Sequence, residues 1–167
     1  MANNKNIYLY KCPISYKVMY WIANTEKSLK RNVGYPYLIS FNKKNNMNKI
    51  SKKFKFIKLN NRTIDCLNQK NCINILRRLV KNKVFNLDLG AYQINYMYHK
   101  IKKINSYFSL KESYMQACNI LNKLIKKYGY NWKTIAKYHS FNYLYQKKYL
   151  ILLSKNIDKK TERVNNE

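Results

Sequence analysis

The fold is decided by the stretch SLKESYMQACNILNKLIKKYG, residues 109–129. It opens with the Ser-x-x-Glu pattern of a helix capping box, Ser109 to Glu112, and it ends at Gly129, a residue type that commonly follows a helix. Large apolar side chains recur between these two points at helical spacing. They are Leu110, Tyr114, Ala117, Cys118, Leu121, Ile125 and Tyr128. The pattern predicts an amphipathic helix in which Glu112 has a capping role and not a catalytic one.

The composition of the rest of the chain also favours helices. Only 3 Gly and 2 Pro occur in 167 residues, which excludes collagen-like and many-turned all-β architectures. A chain of this length can bury one core but hardly two. We therefore expect a single, mostly helical α+β domain of about six helices over residues 1–155, followed by a polar tail over 156–167.

Local signals place the other elements. A periodic apolar face predicts a first helix, and side chains that can cap a helix precede three others. Two short aromatic segments with polar flanks predict a small β-hairpin. The helices are expected from Ser15 to about Arg31, over about 66–83 with Asp65 as cap, after Asn131 and after Asn142, and the hairpin pairs Leu38–Phe41 with Phe54–Leu59.

The net charge is extreme, because 34 Lys+Arg face 7 Asp+Glu, and 34 − 7 gives +27. Such a charge excludes an ordinary neutral protein and indicates a polyanionic partner, although AT-rich coding would produce the same excess of lysine. Zinc spacing, a basic heptad helix and an RNA-binding strand motif are all missing from the sequence, so no nucleic acid is expected. Teichoic acid, phospholipid head groups and peptidoglycan fit the charge equally well.

The four cysteines, Cys12, Cys66, Cys72 and Cys118, form no Cys-x-x-Cys pair. Because the two histidines also lie far apart, neither a metal site nor a cofactor is expected. An even number of cysteines fits two disulfides in an oxidising compartment, and among three pairings we prefer Cys66 with Cys72 and Cys12 with Cys118. Four buried free thiols remain the alternative.

Membrane and export signals are missing from the sequence. No run of 18 apolar residues occurs, so no transmembrane segment is expected. The first ten residues lack the apolar region of a signal peptide. An exported protein with this sequence would therefore have lost its signal or would use another route.

One carboxylate lies on an apolar helix face. Val18, Ile22 and Glu26 follow each other at intervals of four residues, so Glu26 shares the face that the first helix buries. Burial among apolar side chains favours the neutral form of a carboxylic acid, which is the form that a general acid needs. The alternatives are a structural glutamate neutralised by a lysine and a glutamate at the edge of the apolar stripe.

Three segments together resemble the lysozyme-like lytic transglycosylase family, in particular its specialised members attached to type IV secretion systems. Trp21–Glu26 fits the Ile-Ala-x-x-Glu pattern that carries the catalytic glutamate in that family. Asn86–Asn95, NLDLGAYQIN, matches the segment that lines the sugar cleft, and Ala136–Ser140 corresponds to the third motif. The segments occur in family order, and the resemblance covers roughly residues 12–153.

The resemblance implies a lysozyme-like fold and cleavage of the β-1,4 bond between N-acetylmuramic acid and N-acetylglucosamine, with a 1,6-anhydro product. It implies that Glu26 is the catalytic residue and that peptidoglycan strands are the substrate, in the periplasm or cell envelope, with components of a secretion apparatus as partners. The substrate-binding residues that it implies are Gly90, Tyr92, Gln93, Asn95 and Tyr138.

The chain departs from the family pattern at three positions, where Lys27 replaces Ser, Tyr92 replaces Met and Phe141 replaces Gly. Asp88 is the nearest candidate for a second catalytic carboxylate, but a role in bonding the turn before Gly90 is favoured for it. A lysozyme-type hydrolase, a basic nucleic-acid-binding module and a catalytically inactive assembly factor remain alternatives.

Overall fold

The computed structural model describes residues 11–28, 30–50 and 52–164, with side chains as far as residue 157. The first ten residues, which lack a signal-peptide pattern, lie outside this part of the chain. About 53% of the protein is helical and a small antiparallel sheet completes it, so the mostly helical α+β class is confirmed. In this part of the chain the α-helices are α1 (Tyr16–Glu26), α2 (Gln69–Lys81), α3 (Leu110–Tyr128), α4 (Trp132–His139) and α5 (Tyr143–Val164), and 3₁₀ helices span Lys44–Lys49 and Ile104–Phe108.

The helices with clear capping signals form where the sequence predicts them. Helix α3 has the predicted bounds, and Gly129 follows it with a left-handed φ of +80°. Helix α4 begins after Asn131, whose side-chain oxygen accepts the Thr134 N–H at 2.9 Å. Helix α5 begins after Asn142, whose side-chain oxygen accepts the Leu144 N–H at 3.0 Å. In each case a residue at the helix end either bonds a free backbone N–H group of the first turn or lets the chain leave the helix. The helix end can therefore be predicted from the local sequence.

The first two helices are shorter than predicted. Helix α1 buries the expected apolar face but ends at Glu26, five residues before Arg31. Helix α2 begins at Gln69 and is capped by Asn68, so the assignment of Asp65 as the cap was wrong. Asp65 is instead a buried member of a strand.

The expected single hairpin is in fact part of a five-stranded antiparallel sheet with the order β2-β3-β1-β4-β5. Its strands are β1 (Leu38–Phe41), β2 (Ile57–Lys58), β3 (Thr63–Asp65), β4 (Leu87–Leu89) and β5 (Ile94–Asn95). The predicted pairing of Leu38–Phe41 with Phe54–Leu59 was wrong, because β3 lies between them and pairs with both. At three residues, β3 is too short to show an alternating pattern in the sequence.

The segment expected as a polar tail, 156–167, is helical as far as Val164, because α5 continues through it. Its residues are polar but include no Gly or Pro, so nothing in the sequence ends the helix there. The Asn156 side chain donates a hydrogen bond to the Thr25 hydroxyl at 3.1 Å, which ties α5 to the end of α1. Among the described residues, no helix is both long enough and apolar enough to cross a membrane.

Both preferred disulfides are present. Cys12 and Cys118 are joined with a Cα–Cα distance of 6.0 Å, and Cys66 and Cys72 with one of 5.1 Å. The alternative of four free thiols was therefore wrong. Two disulfides in a domain of this size are typical of an oxidising compartment.

The contacts within the chain define two compact units. We call residues up to Thr25 together with those from Met115 onward the helical unit, and residues Glu26–Tyr114 the sheet unit. The helical unit holds α1 up to Thr25, most of α3, and helices α4 and α5. The sheet unit holds Glu26, all five strands, α2 and both 3₁₀ helices.

Candidate functional site

The sheet carries a row of polar side chains on one face. Thr63 is in register with Ser40, Ser40 with Asp88, and Asp88 with Asn95, so the four side chains lie side by side across β3, β1, β4 and β5. All four are half-buried. The adjacent register row is apolar and fully buried, and it consists of Ile64, Ile39, Leu89 and Ile94. One face of the sheet therefore packs into the core while the other presents hydroxyl, carboxylate and amide groups.

Four side chains at this face form a closed hydrogen-bond network. Asp88 accepts N–H groups on both carboxylate oxygens, from Asn95 at 2.7 Å and from Asn42 at 2.9 Å. The Asn86 side-chain oxygen accepts from the same two amides, at 2.9 Å from Asn95 and 3.0 Å from Asn42. Each of the two amides is therefore held by two acceptors, one of them charged, which fixes its orientation.

The turn between β4 and β5 has an unusual backbone that fixes two predicted site residues. Gly90 has a φ of +74°, and a Cβ at this position would overlap the carbonyl oxygen of Tyr107. Gln93 has a φ of +45°, which is costly for a residue other than glycine. The Gln93 side-chain N–H donates to the Gly90 carbonyl oxygen at 2.8 Å, so the amide closes its own turn. Glycine is therefore required at position 90 because the Tyr107 carbonyl oxygen lies so close, independently of any ligand.

Tyr92 and Asn95 are held within the sheet unit. The Tyr92 side chain is 3% exposed, and its ring meets that of Tyr114 edge to face, with 6.0 Å between centroids. Its ring therefore presents little surface to a ligand. The Asn95 side-chain oxygen accepts the backbone N–H groups of Met97 and Tyr98, which shapes the chain as it leaves β5.

The predicted catalytic residue, Glu26, is the last residue of α1 and the first residue of the sheet unit. Its side chain is half-buried, and the carboxylate oxygen Oε1 is buried. Lys27 and Ser28, which follow it, are half-buried as well. A half-buried carboxyl group at a helix end can exchange a proton with a ligand that reaches its exposed part.

Glu112 is a carboxylate whose role the sequence did not reveal. Its backbone N–H donates to the Ser109 hydroxyl at 3.3 Å, so the first half of the capping box is formed. The second half is missing, because the Ser109 N–H donates to Ser106 and not to the glutamate. The Glu112 oxygen Oε2 is buried, and no hydrogen bond reaches it from the residues that the structure describes. Capping therefore accounts for the Glu112 backbone but not for its carboxylate.

The structure brings Gly90, Tyr92, Gln93 and Asn95 together in one hairpin of the sheet unit. The remaining predicted residue, Tyr138, is half-buried on α4 in the helical unit. Its neighbour His139 stacks on Tyr149 with 4.6 Å between ring centroids. Within the described residues, no group of three His, Cys, Asp or Glu side chains could hold a metal ion.

Comparisons of this chain with known protein families, with curated proteins and with solved structures find no match. The residues themselves must therefore support any functional conclusion. Their chemistry consists of a half-buried carboxyl group at a helix end and a face of oriented amides and hydroxyls.

Proposed function

We propose that this protein is a peptidoglycan lytic transglycosylase of the periplasm or cell envelope, which opens the wall for a secretion or surface apparatus. The observation that carries the proposal is the Asn86–Asn95 hairpin. Its polar side chains belong to an ordered row on one sheet face, in the unit that begins with Glu26. Oriented amides and hydroxyls are the groups that recognise the acetamido and hydroxyl substituents of N-acetylated sugars.

The proposed reaction needs one carboxyl group and no water. Protonated Glu26 donates its proton to the glycosidic oxygen, and the bond between that oxygen and C1 of N-acetylmuramic acid breaks. The resulting carboxylate then takes the proton of the C6 hydroxyl, whose oxygen bonds to C1 and closes the 1,6-anhydro ring. The net change is the transfer of one proton from O6 to the leaving oxygen, and Glu26 returns to its protonated form.

The hydrogen bonds of the other carboxylates support a single catalytic acid. Both oxygens of Asp88 accept amide N–H groups, so this carboxylate organises the network. Asp65 is 1% exposed and pairs with Arg31 and Tyr35. Asp88 and Asp65 are therefore both committed to structural networks, so neither is expected to serve as a second catalytic acid.

The test compares purified peptidoglycan digested by the wild type and by Glu26→Gln and Glu112→Gln variants. We expect Glu26→Gln to lower the rate of muropeptide release by about 10²–10⁴-fold, because the amide cannot donate or accept the required proton. Glu112→Gln is the matched control, since it also replaces a half-buried glutamate, and it should retain most of the activity. A wild type that releases nothing, or a Glu26→Gln variant as fast as the wild type, would refute the proposal.

The ends of the released muropeptides separate the closest rival, a lysozyme-type hydrolase. A hydrolase adds water and leaves reducing ends, whereas the proposed enzyme leaves 1,6-anhydro ends. The net charge of +27 favours a second rival, nucleic-acid binding without catalysis. That function predicts an affinity that falls steeply with salt and does not respond to Glu26→Gln.

A further inference from the structure

Helix α5 exposes an unusual outer face. Leu144, Lys148, Ile151, Leu152 and Lys155 follow each other at intervals that place them on one side of a helix, and we call these five residues the α5 outer face. All five are exposed, and the exposed fractions of Leu144, Ile151 and Leu152 are 65%, 49% and 53%. Three large aliphatic side chains alternate there with two lysines.

The opposite side of α5 already serves the core. Gln146, Tyr149 and Leu153 are buried, and the Gln146 amide donates to the Ser140 carbonyl oxygen at 3.0 Å. The outer aliphatic residues are therefore not needed for the packing of the helix within its own unit. A helix that is apolar on both sides is expected to meet a second apolar environment.

Exposed aromatic residues extend this surface around the start of α5. Phe141, Tyr143 and Tyr145 are 64%, 72% and 56% exposed, and they flank Asn142, which caps the helix. The Lys137 ammonium lies 5.7 Å from the centre of the Phe141 ring and 5.1 Å from that of Tyr128. Cationic and aromatic side chains are thus interleaved next to the α5 outer face.

The charge of this part of the chain has one sign. From Ser113 to Ile157 the sequence contains eight lysines and no aspartate or glutamate. A partner with negative charges would therefore meet no opposing acidic group among these residues, and the lysines around it would add to the attraction.

We propose that the α5 outer face binds the surface of an anionic phospholipid bilayer. Leu144, Ile151 and Leu152 would enter the boundary between head groups and acyl chains, while Lys148 and Lys155 would contact the phosphates. Tyr and Phe at the rim fit the interfacial region, where aromatic residues are enriched. A nucleic acid would use the lysines but not the exposed aliphatic chains, so a bilayer accounts for more of the surface. This proposal does not depend on glycan cleavage.

Vesicle co-sedimentation of the full chain tests the proposal, with vesicles of phosphatidylcholine alone and of phosphatidylcholine with phosphatidylglycerol. Binding is expected only to the anionic vesicles. Lys148→Glu with Lys155→Glu should lower the partition coefficient by about tenfold or more, as expected for surface lysines at an anionic membrane. Lys43→Glu with Lys44→Glu is the matched control, because it changes the net charge by the same −4 at exposed sites in the sheet unit, and it should retain most of the binding.

The aliphatic residues need a separate pair of variants. Leu144→Gln with Ile151→Gln should reduce vesicle binding at unchanged charge, whereas Met97→Gln with Tyr98→Gln, at exposed positions of the sheet unit, should not. Far-ultraviolet circular dichroism establishes that each variant is folded. Equal losses in both lysine variants, or no loss in the aliphatic variant, would mean attraction to any polyanion and would overturn the proposal. Failure to bind anionic vesicles would also overturn the proposal, even if the protein self-associates through the α5 outer face.

Discussion

The sheet unit and the helical unit differ sharply in the groups they carry. All four acidic side chains that the structure describes lie in the sheet unit, at Glu26, Asp65, Asp88 and Glu112. The helical unit has no acidic residue from Met115 to Ile157, and its surface combines lysines with exposed aromatic and aliphatic side chains. The two proposals use this difference, because glycan cleavage is assigned to groups of the sheet unit and membrane binding to groups of the helical unit.

The largest predicted difference between the two units concerns their disulfides. Cys12–Cys118 in the helical unit spans 106 residues, whereas Cys66–Cys72 in the sheet unit spans 6. The loop-entropy relation gives about 5 kcal/mol for the longer loop and about 2 kcal/mol for the shorter one. We therefore expect Cys12→Ser with Cys118→Ser to lower the free energy of unfolding far more than Cys66→Ser with Cys72→Ser. Urea titrations of both double variants measure this, and equal losses would contradict the comparison.

A second prediction concerns polar side chains that are hydrogen-bonded within each unit. In the sheet unit, Asp88→Ala would leave the Asn42 and Asn95 amides without a charged acceptor, and we expect a loss of about 2–3 kcal/mol in the free energy of unfolding. In the helical unit, Gln146→Ala removes a single neutral hydrogen bond to Ser140, for an expected loss of about 1 kcal/mol. Thermal or urea unfolding compares the two. A smaller loss for Asp88→Ala would show that the amide network is not the organising feature of the sheet unit.

A third prediction concerns the response of the sheet unit to alkaline pH. Burial raises the pKa of Tyr107 to about 12, and its hydroxyl donates to the His99 carbonyl oxygen and accepts the Ile101 N–H. Between pH 10 and pH 12 the unfolded chain has lost this phenolic proton while the folded protein keeps it, so stability falls as the pH rises.

The Tyr107→Phe variant checks this response. It lacks the phenolic proton, so its stability should fall less steeply than that of the wild type over the same pH interval. The free energy of unfolding is measured for both proteins at several pH values from 9 to 12. Parallel curves would show that Tyr107 does not contribute to the alkaline response.

Elements with local signals could be predicted from the sequence, and elements set by distant partners could not. Helices α3 and α4 begin at side-chain caps and α3 ends before a glycine, all within a few residues of one another. Asp65 looked like such a cap, but it pairs with Arg31, which lies 34 residues away. Nothing in the local sequence indicates that partner, so both β3 and the role of Asp65 were missed.

The candidate site also has features that the local sequence predicts and features that depend on distant residues. The motif from Asn86 to Asn95 identified a compact polar segment, and its residues do form one hairpin. The reason for Gly90, the nearby Tyr107 carbonyl group, depends on a 3₁₀ helix much later in the chain. Glu112 matched a capping box whose second half does not form, because the Ser109 N–H has another acceptor. The sequence patterns therefore identified these residues, but the contacts of each residue depend on packing against distant parts of the chain.

The sugar end that the protein produces distinguishes a lytic transglycosylase from a hydrolase. Peptidoglycan is digested in water enriched in ¹⁸O, and the released muropeptides are analysed by mass spectrometry. The proposed reaction gives ends with 1,6-anhydro-N-acetylmuramic acid and no incorporated ¹⁸O, because the C6 hydroxyl and not water attacks C1. Reducing ends that carry ¹⁸O would contradict it and would identify a hydrolase.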